Sequence, residues 1–350
     1  MKLEPMKTRV SIDHLTITSD DRRLIDRKLI KMLPKLLPDY HYEKPIPTKS
    51  KYRNDSQVRS YEFFHEFRHK RTGNKVHVFL DRFNTEKFKT LFAPNVTVKF
   101  FSCWENNLAY SDVVGVTNVL VGLFNVAFRV SYVHVAVDLY FDACGSGSGD
   151  SELTDRDDPF ERVAGRIMSG RKVERKTSQK YPDTYFFHSP KSMFCLVVYN
   201  KKLQLLREKV DELSLGALAD LRGCFVTRLE SRFRLPHFVC GGTLDGLAVR
   251  DFTFIYPAHL RFLEPDRAKL RKLGLRTRDY RDLCLSDVKG LLAAGEITNN
   301  FPYYLREIGS LAEPVKAALA GYRWEPNPGK YPLAVPELVI RKQRIKFVRH

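Results

Sequence analysis

Hydrophobic and polar positions alternate strictly from Val130 to Asp142, VSYVHVAVDLYFD. Val133, Val135, Val137, Leu139 and Phe141 fall on one face. Tyr132, His134, Ala136, Asp138, Tyr140 and Asp142 fall on the other. A period of two with β-branched residues predicts a strand with one face on a core. An imidazole and carboxylates on the opposite face are costly unless that face is wet, paired or holding a metal. The stretch Cys224 to Arg234 alternates again: Phe225, Leu229 and Phe233 share one face with Thr227 and Ser231, and Arg228, Glu230, Arg232 and Arg234 share the other.

The same period predicts strands at Arg9–Thr18, Val58–Phe67, Lys75–Asp81 and Val96–Phe101, with Asp13 and His14 on opposite faces of the first. Thr184–Phe187 and Met193–Lys201 read as a hairpin turning at His188-Ser189-Pro190. Steps of three and four through Val113, Val116, Leu120, Leu123 and Ala127 predict a helix over Tyr110–Arg129. Helical spacing also marks Asp20–Leu37, Pro159–Ser169, Lys202–Leu221 and the region from Val249 to Ala320. Without regular β-α-β alternation, these elements predict an α+β fold: a mainly antiparallel sheet with helices on one face, followed by a basic helical C-terminal segment. Two units are expected, a core over 1–240 with an acidic connector near 143–158, and a basic, mostly helical segment over 241–350.

Charge narrows the function. The 350 residues carry 59 Lys and Arg against 41 Asp and Glu, a net charge of +18, with 24 Phe and 16 Tyr. Such an excess beside many aromatics points to nucleic acid as the partner. Residues 261–281 hold eight Lys and Arg against three acids, and 341–350 hold five against none. With 171–180, these are the candidate phosphate-contacting segments. The six cysteines form no CxxC pair, which argues against a zinc site or a disulfide scaffold. No apolar run reaches membrane-spanning length and MKLEPMKTRV is no secretory signal, so a cytoplasmic protein with no membrane partner is expected.

If the strands are neighbours, His134, Asp138 and Glu230 share one site with Tyr199, Lys201, Arg228 and Arg232. Oxygen ligands with an imidazole suit Mg²⁺ or Mn²⁺, which would polarise a phosphodiester, with the cations holding phosphate. Spacing alone equally allows the acids and arginines to form a structural ion network.

At these residues the chain resembles the replication initiation factor family of rolling-circle plasmids and phages, which includes relaxases of conjugative elements. VSYVHVAVD at 130–138 is similar to the family strand T-R-hydrophobe-D-hydrophobe-A-hydrophobe-D. TYFFHSPKSMFCLVVYNKKLQ at 184–204 resembles its hairpin, which ends in V-Y-D-K, and VTRLESRFR at 226–234 its R-x-E-x-R strand. The likeness spans roughly residues 10–235. His134 stands where the family has an Asp, Tyr132 where it has an Arg, Asn200 where it has an Asp, and His188 where Gly is common. The His-hydrophobe-His motif of the broader nickase superfamily is absent.

The resemblance implies nicking and rejoining of one DNA strand at an origin through a 5′-phosphotyrosine and a divalent metal, Mg²⁺ or Mn²⁺. It implies His134, Asp138 and Glu230 as metal ligands, Lys201 as catalytic, and Arg228, Arg232 and Tyr199 as DNA or phosphate contacts. The nucleophile is expected downstream of the glutamate strand. Tyr280, flanked by Arg276, Arg278 and Arg281, is preferred, Tyr303 and Tyr304 follow, and Tyr256 and Tyr322 complete the set. Implied partners are origin DNA, single-stranded or supercoiled and hairpin-forming, a host helicase and a second copy of the chain. The alternatives are a non-catalytic origin-binding regulator on the same fold, a relaxase, or an RNA-binding protein.

Overall fold

The computed structural model describes residues 3–19, 27–53, 55, 58, 61–80, 96–142, 158–168, 176–177, 184–189, 192–208, 213–234, 237–272, 285–295 and 301–324. Tyr280, the connector at 143–157 and the tail 341–350 lie outside them, as does most of 171–180.

In chain order the strands are β1 (Lys7–Ser19), β2 (Tyr40–Tyr42), β3 (Ile46–Pro47), β4 (Phe63–His69), β5 (Lys75–Leu80), β6 (Val96–Phe101) and β7 (Phe128–Asp142). They continue as β8 (Ile167–Met168), β9 (Lys176–Thr177), β10 (Thr184–Phe187), β11 (Phe194–Asn200), β12 (Cys224–Arg234), β13 (Arg261–Pro265) and β14 (Leu305–Glu307). One large antiparallel sheet runs β2-β4-β5-β6-β1-β7-β12-β11-β10-β9, with β3 on β4, and a small sheet runs β14-β13-β8. The mixed α+β class and the large antiparallel sheet follow the expectation.

One face of the large sheet is apolar. Ile12, Leu15 and Ile17 of β1, Val133, Val135 and Leu139 of β7, Leu196 and Val198 of β11, and Leu229 and Phe233 of β12 form its centre. Helix Tyr110–Phe124 covers it with Val113, Val116 and Leu120, and helix Gly309–Gly321 with Leu311, Ala312, Val315 and Leu319. Each such side chain, removed from water, contributes about 1.5–3 kcal/mol before entropy is counted. Helix Tyr110–Phe124 ends at Asn125, whose left-handed backbone (φ 50°) closes the last turn through its N–H to the Val121 carbonyl.

The second face is divided. Apolar patches lie under helix Thr48–Tyr52, around Phe64 and Phe79, and under helices Lys201–Glu208 and Leu215–Arg222, around Leu205, Leu221 and Val226. Helices therefore pack on both faces rather than one, because Val226, Cys224 and Tyr140 give the polar side an apolar end that also needs cover. Between the patches runs a strip of charged and imidazole side chains.

The C-terminal region departs from a purely helical reading. Arg261–Pro265 and Leu305–Glu307 are strands, and adjacent β13 residues point opposite ways: Phe262 into the main core, Leu263 into a separate cluster with Leu270, Val288, Tyr304 and Leu305. Lys202–Leu221 is two helices, not one. Among the described residues Cys103, Cys195, Cys224 and Cys240 form no disulfide, and no helix is long and apolar enough to cross a membrane.

Candidate active site

The strip is assembled by register. β7 pairs β12 with Asp138 opposite Arg228 and His134 opposite Arg232, and β12 pairs β11 with Arg228 opposite Tyr199. The three segments that carry the resemblance are thus consecutive neighbours in the sheet.

Two bulges refine the strip. From Ile12 to His14, β1 advances two residues while β7 advances one, so Asp13 is the extra residue. Asp13 and His14 then reach the same polar face, not opposite faces. Asp13 accepts a hydrogen bond from Arg228 Nη1 (2.6 Å) and one from Ser102 Oγ (2.9 Å), while the His14 ring stacks on Phe101 at 4.5 Å and meets His134 edge-on at 4.7 Å. From Thr16 to Ile17 the shift is on β7, leaving Ser131 to hydrogen-bond the Thr16 carbonyl.

Arg228 is held between two carboxylates, Asp138 and Asp13. Its Nε and Nη2 donate to the two oxygens of Asp138 at 2.5 and 2.7 Å, and Asp138 is fully buried. This bidentate fork is the strongest geometry for such a pair. Asp13 is held below the ordinary carboxylate range: burial pushes it up, but Arg228 and then Lys201 outweigh that.

Glu230 is the second hub. Tyr199 Oη donates to its Oε2 (2.9 Å), Arg232 Nε donates to its Oε1 (2.7 Å), and His134 Nδ1 lies 2.5 Å from Oε1. Burial raises the Glu230 carboxyl, but Arg232 and His134 hold it well below its usual value, so it is ionised at neutral pH. Burial lowers His134 and Glu230 partly opposes this. Neutral His134 presents Nδ1–H to Glu230, which leaves its buried Nε2 without a hydrogen-bond partner. Burial, then Glu230, pushes the Tyr199 phenol well above its ordinary value. Arg232 is the more open cation, its side chain 28% exposed against 4% for Arg228.

Lys201 begins the helix after β11. Its ammonium donates to Gln204 and lies 5.6 Å from the Tyr199 ring and 5.9 Å from the Trp104 ring. Asn200 caps this helix, its Oδ1 accepting from Leu203 N at 3.0 Å, a task that Asn and Asp perform alike. His188, where Gly is common in the family, holds φ 71°, a left-handed turn position that favours glycine.

His134, Asp138 and Glu230 do not fit as one ligand set here. Both Asp138 oxygens face Arg228 and both Glu230 oxygens are engaged, which leaves the His134 Nε2 lone pair as the one unpartnered ligand atom of the three. Among the described residues no group of three or more His, Cys, Asp or Glu side chains is disposed to hold a metal ion.

The tyrosines sort by layer. Tyr256 is buried in the main core, its hydroxyl on Glu307, and Tyr322 packs against that core with its hydroxyl accepting from Ile12 N. Tyr304 is buried in the cluster beyond the small sheet, its hydroxyl unpartnered, and Tyr303 is half-exposed beside it under Lys269. Of the described tyrosines weighed as the nucleophile, none has its hydroxyl in the polar strip; Tyr199 places its hydroxyl there, on Glu230, and Tyr132 lies there too, its ring edge-on to His134 at 4.6 Å. The placement of Tyr199 opposite Arg228 and beside Glu230 depends on register, which no local pattern carries. Asp13 and Ser102 also join the site unforeseen, and the three-residue step from Ile12 to Leu15 was the available signal for Asp13.

No family model matches the sequence, and no curated protein matches it significantly. Among solved structures, the fold is similar to that of the rolling circle replication initiator protein from Geobacillus stearothermophilus. That match has 13% identity and a TM-score of 0.43, and covers 91% of this chain and 99% of the other.

Proposed function

We propose that this chain nicks and rejoins one DNA strand at an origin to initiate rolling-circle replication, with Tyr199 as the nucleophile. The observation that carries the reading is the hub on Glu230, where a tyrosine hydroxyl meets an ionised carboxylate between arginines. It joins the three segments on which the family resemblance rests.

A buried phenol is a poor nucleophile and needs a base. Glu230 is the acceptor already in place, but at rest Arg232 and His134 weaken it. An arriving phosphodiester is an anion that competes for Arg232, the more exposed cation. Drawing Arg232 away raises the basicity of Glu230 at the moment it is needed. The Tyr199 oxygen then bonds to phosphorus, its proton passes to Glu230, the P–O3′ bond breaks, and the 3′ oxygen takes a proton from solvent. Arg232 and Lys201 stabilise the charge on the phosphoryl oxygens. The phosphotyrosine conserves the bond for rejoining. Conjugative transfer would use the same step.

The test is nicking of a supercoiled plasmid that carries DNA flanking the coding sequence, with and without Mg²⁺ or Mn²⁺. Wild-type protein should convert it to the open circle and Tyr199→Phe should not. Equal nicking by both removes Tyr199 from the role. Tight binding with no nicking in any condition favours the second reading, an origin-binding protein whose carboxylates serve only the closed ion network around Arg228.

A further inference from the structure

We infer that a cavity beside the polar strip takes one unstacked base of single-stranded DNA, next to the phosphate held by Arg232 and Lys201. The inference rests on the function proposed above and names how that site grips its substrate.

The cavity has a volume of about 470 Å³, within the range of built ligand sites, roughly 300–1,000 Å³. Phe101, Trp104, Tyr52 and His77 line it, with Lys51 and Lys75. It adjoins the strip at two points. Ser102, in its wall, hydrogen-bonds Asp13, and the Trp104 ring lies 5.6 Å from the Arg228 guanidinium and 5.9 Å from the Lys201 ammonium. A strand whose phosphate reached the strip would bring its adjacent base here.

The walls suit that occupant. Trp104 is a partly buried indole pinned by its surroundings: Arg9 donates to its carbonyl and sits 6.0 Å from its ring. His77 is buried, with Nε2 2.8 Å from Glu66 Oε2 and Nδ1 2.5 Å from Tyr52 Oη, so two cavity residues are locked together. Rigid aromatic walls lose little entropy when a base stacks on them. Lys51, 46% exposed and paired with Glu66 at 3.2 Å, is a cation that the sugar–phosphate backbone outside would draw from that carboxylate. Aromatic platforms flanked by cations are how proteins hold single strands without reading sequence.

Trp104 is its own reporter. The chain has two tryptophans, and Trp324 is buried with its indole N–H on the Leu108 carbonyl, giving a constant background. Full-length protein is titrated with a thymidine 12-mer, with the same length of duplex, and with 12-mers carrying one abasic site at each position in turn. Binding is followed separately by anisotropy of the labelled DNA.

The single strand should quench Trp104, the duplex should not, and one abasic position should abolish the quench. Trp104→Ala should weaken single-strand binding roughly 10- to 100-fold, and Trp104→Phe, which keeps a stacking face, should restore most of it. Binding that saturates without a quench overturns the inference, as does an equal quench by duplex or by every abasic strand. The abasic series changes only the DNA, so it decides the matter even if Trp104→Ala folds poorly. Nicking without a quench would leave the strand-transfer function standing and remove this subsite. A quench without nicking would do the reverse.

Discussion

Glu230→Gln is the perturbation that separates the site's architecture from an accidental cluster. The Glu230 side chain is 3% exposed and faces three donors: Tyr199 Oη, Arg232 Nε and His134 Nδ1. Glutamine has one acceptor oxygen in place of two and turns an NH₂ toward groups that themselves donate. It also leaves Arg232 without its carboxylate. Breaking a buried ion pair by removing one partner costs about 3–5 kcal/mol. Because Arg232 is 28% exposed and can turn to water, the low end applies, about 3 kcal/mol. Unfolding entropy of about 2.1 cal/mol/K per residue gives about 0.7 kcal/mol/K for 350 residues. The melting midpoint should therefore fall by about 4 °C. Strand nicking, corrected for the folded fraction, should fall about 10²- to 10⁴-fold, the usual contribution of a positioned base. The assays are scanning calorimetry and plasmid nicking on the same preparation. A midpoint unchanged within about 1 °C would refute the hub on which this reasoning stands. A 4 °C loss with full nicking activity would leave Glu230 structural only.

Three further outcomes follow from the same geometry. Asp138→Asn should lower the midpoint by about 4–7 °C, since it breaks a fully buried fork on Arg228, while Asp138→Leu with Arg228→Met should recover part of that loss, as calorimetry of the two would show. Acid should destabilise the protein early: burial holds His65 and His77 down to about 4, so the unfolded chain binds more protons below its ordinary histidine range. Their stabilisation is complete above about pH 6.5 and is lost as pH falls toward 4, about 4 kcal/mol for the pair by pH 5, and a midpoint flat from pH 7 to 5 would contradict it. Deleting Asp13 should remove the bulge and leave β1 alternating in register with β7, Ile12 and Leu15 still on the core face, so near-ultraviolet dichroism should stay native while loss of the Asp13–Arg228 ion pair lowers the midpoint; a molten spectrum would contradict it.

The long strands were legible because large apolar residues recur with a period of two on one face of each. Val96–Phe101 and Cys224–Arg234 have the bounds that alternation gives, and Phe128–Asp142 begins two residues earlier. Asp13 was misplaced because strict alternation was carried through a three-residue step, Ile12 to Leu15, that a bulge absorbs. The short strands β13 and β14 were hidden because five and three residues are too few to show a period against a helical background. Which ions pair was not legible at all. Sliding β12 by two residues would keep every face and set Glu230, rather than Arg228, opposite Asp138. Local pattern shows which side chains share the strip; only the register decides that Arg228 closes on Asp138 and leaves Glu230 to Tyr199.

The most direct measurement is trapping of the reaction intermediate. Full-length protein is incubated with labelled single-stranded DNA from the region flanking its coding sequence, with Mg²⁺ or Mn²⁺, run on a denaturing gel, and digested for peptide mass. The account predicts a covalent adduct whose modified peptide contains Tyr199 and which Tyr199→Phe abolishes. An adduct on the peptide holding Tyr280, or on Tyr303 or Tyr304, would contradict it.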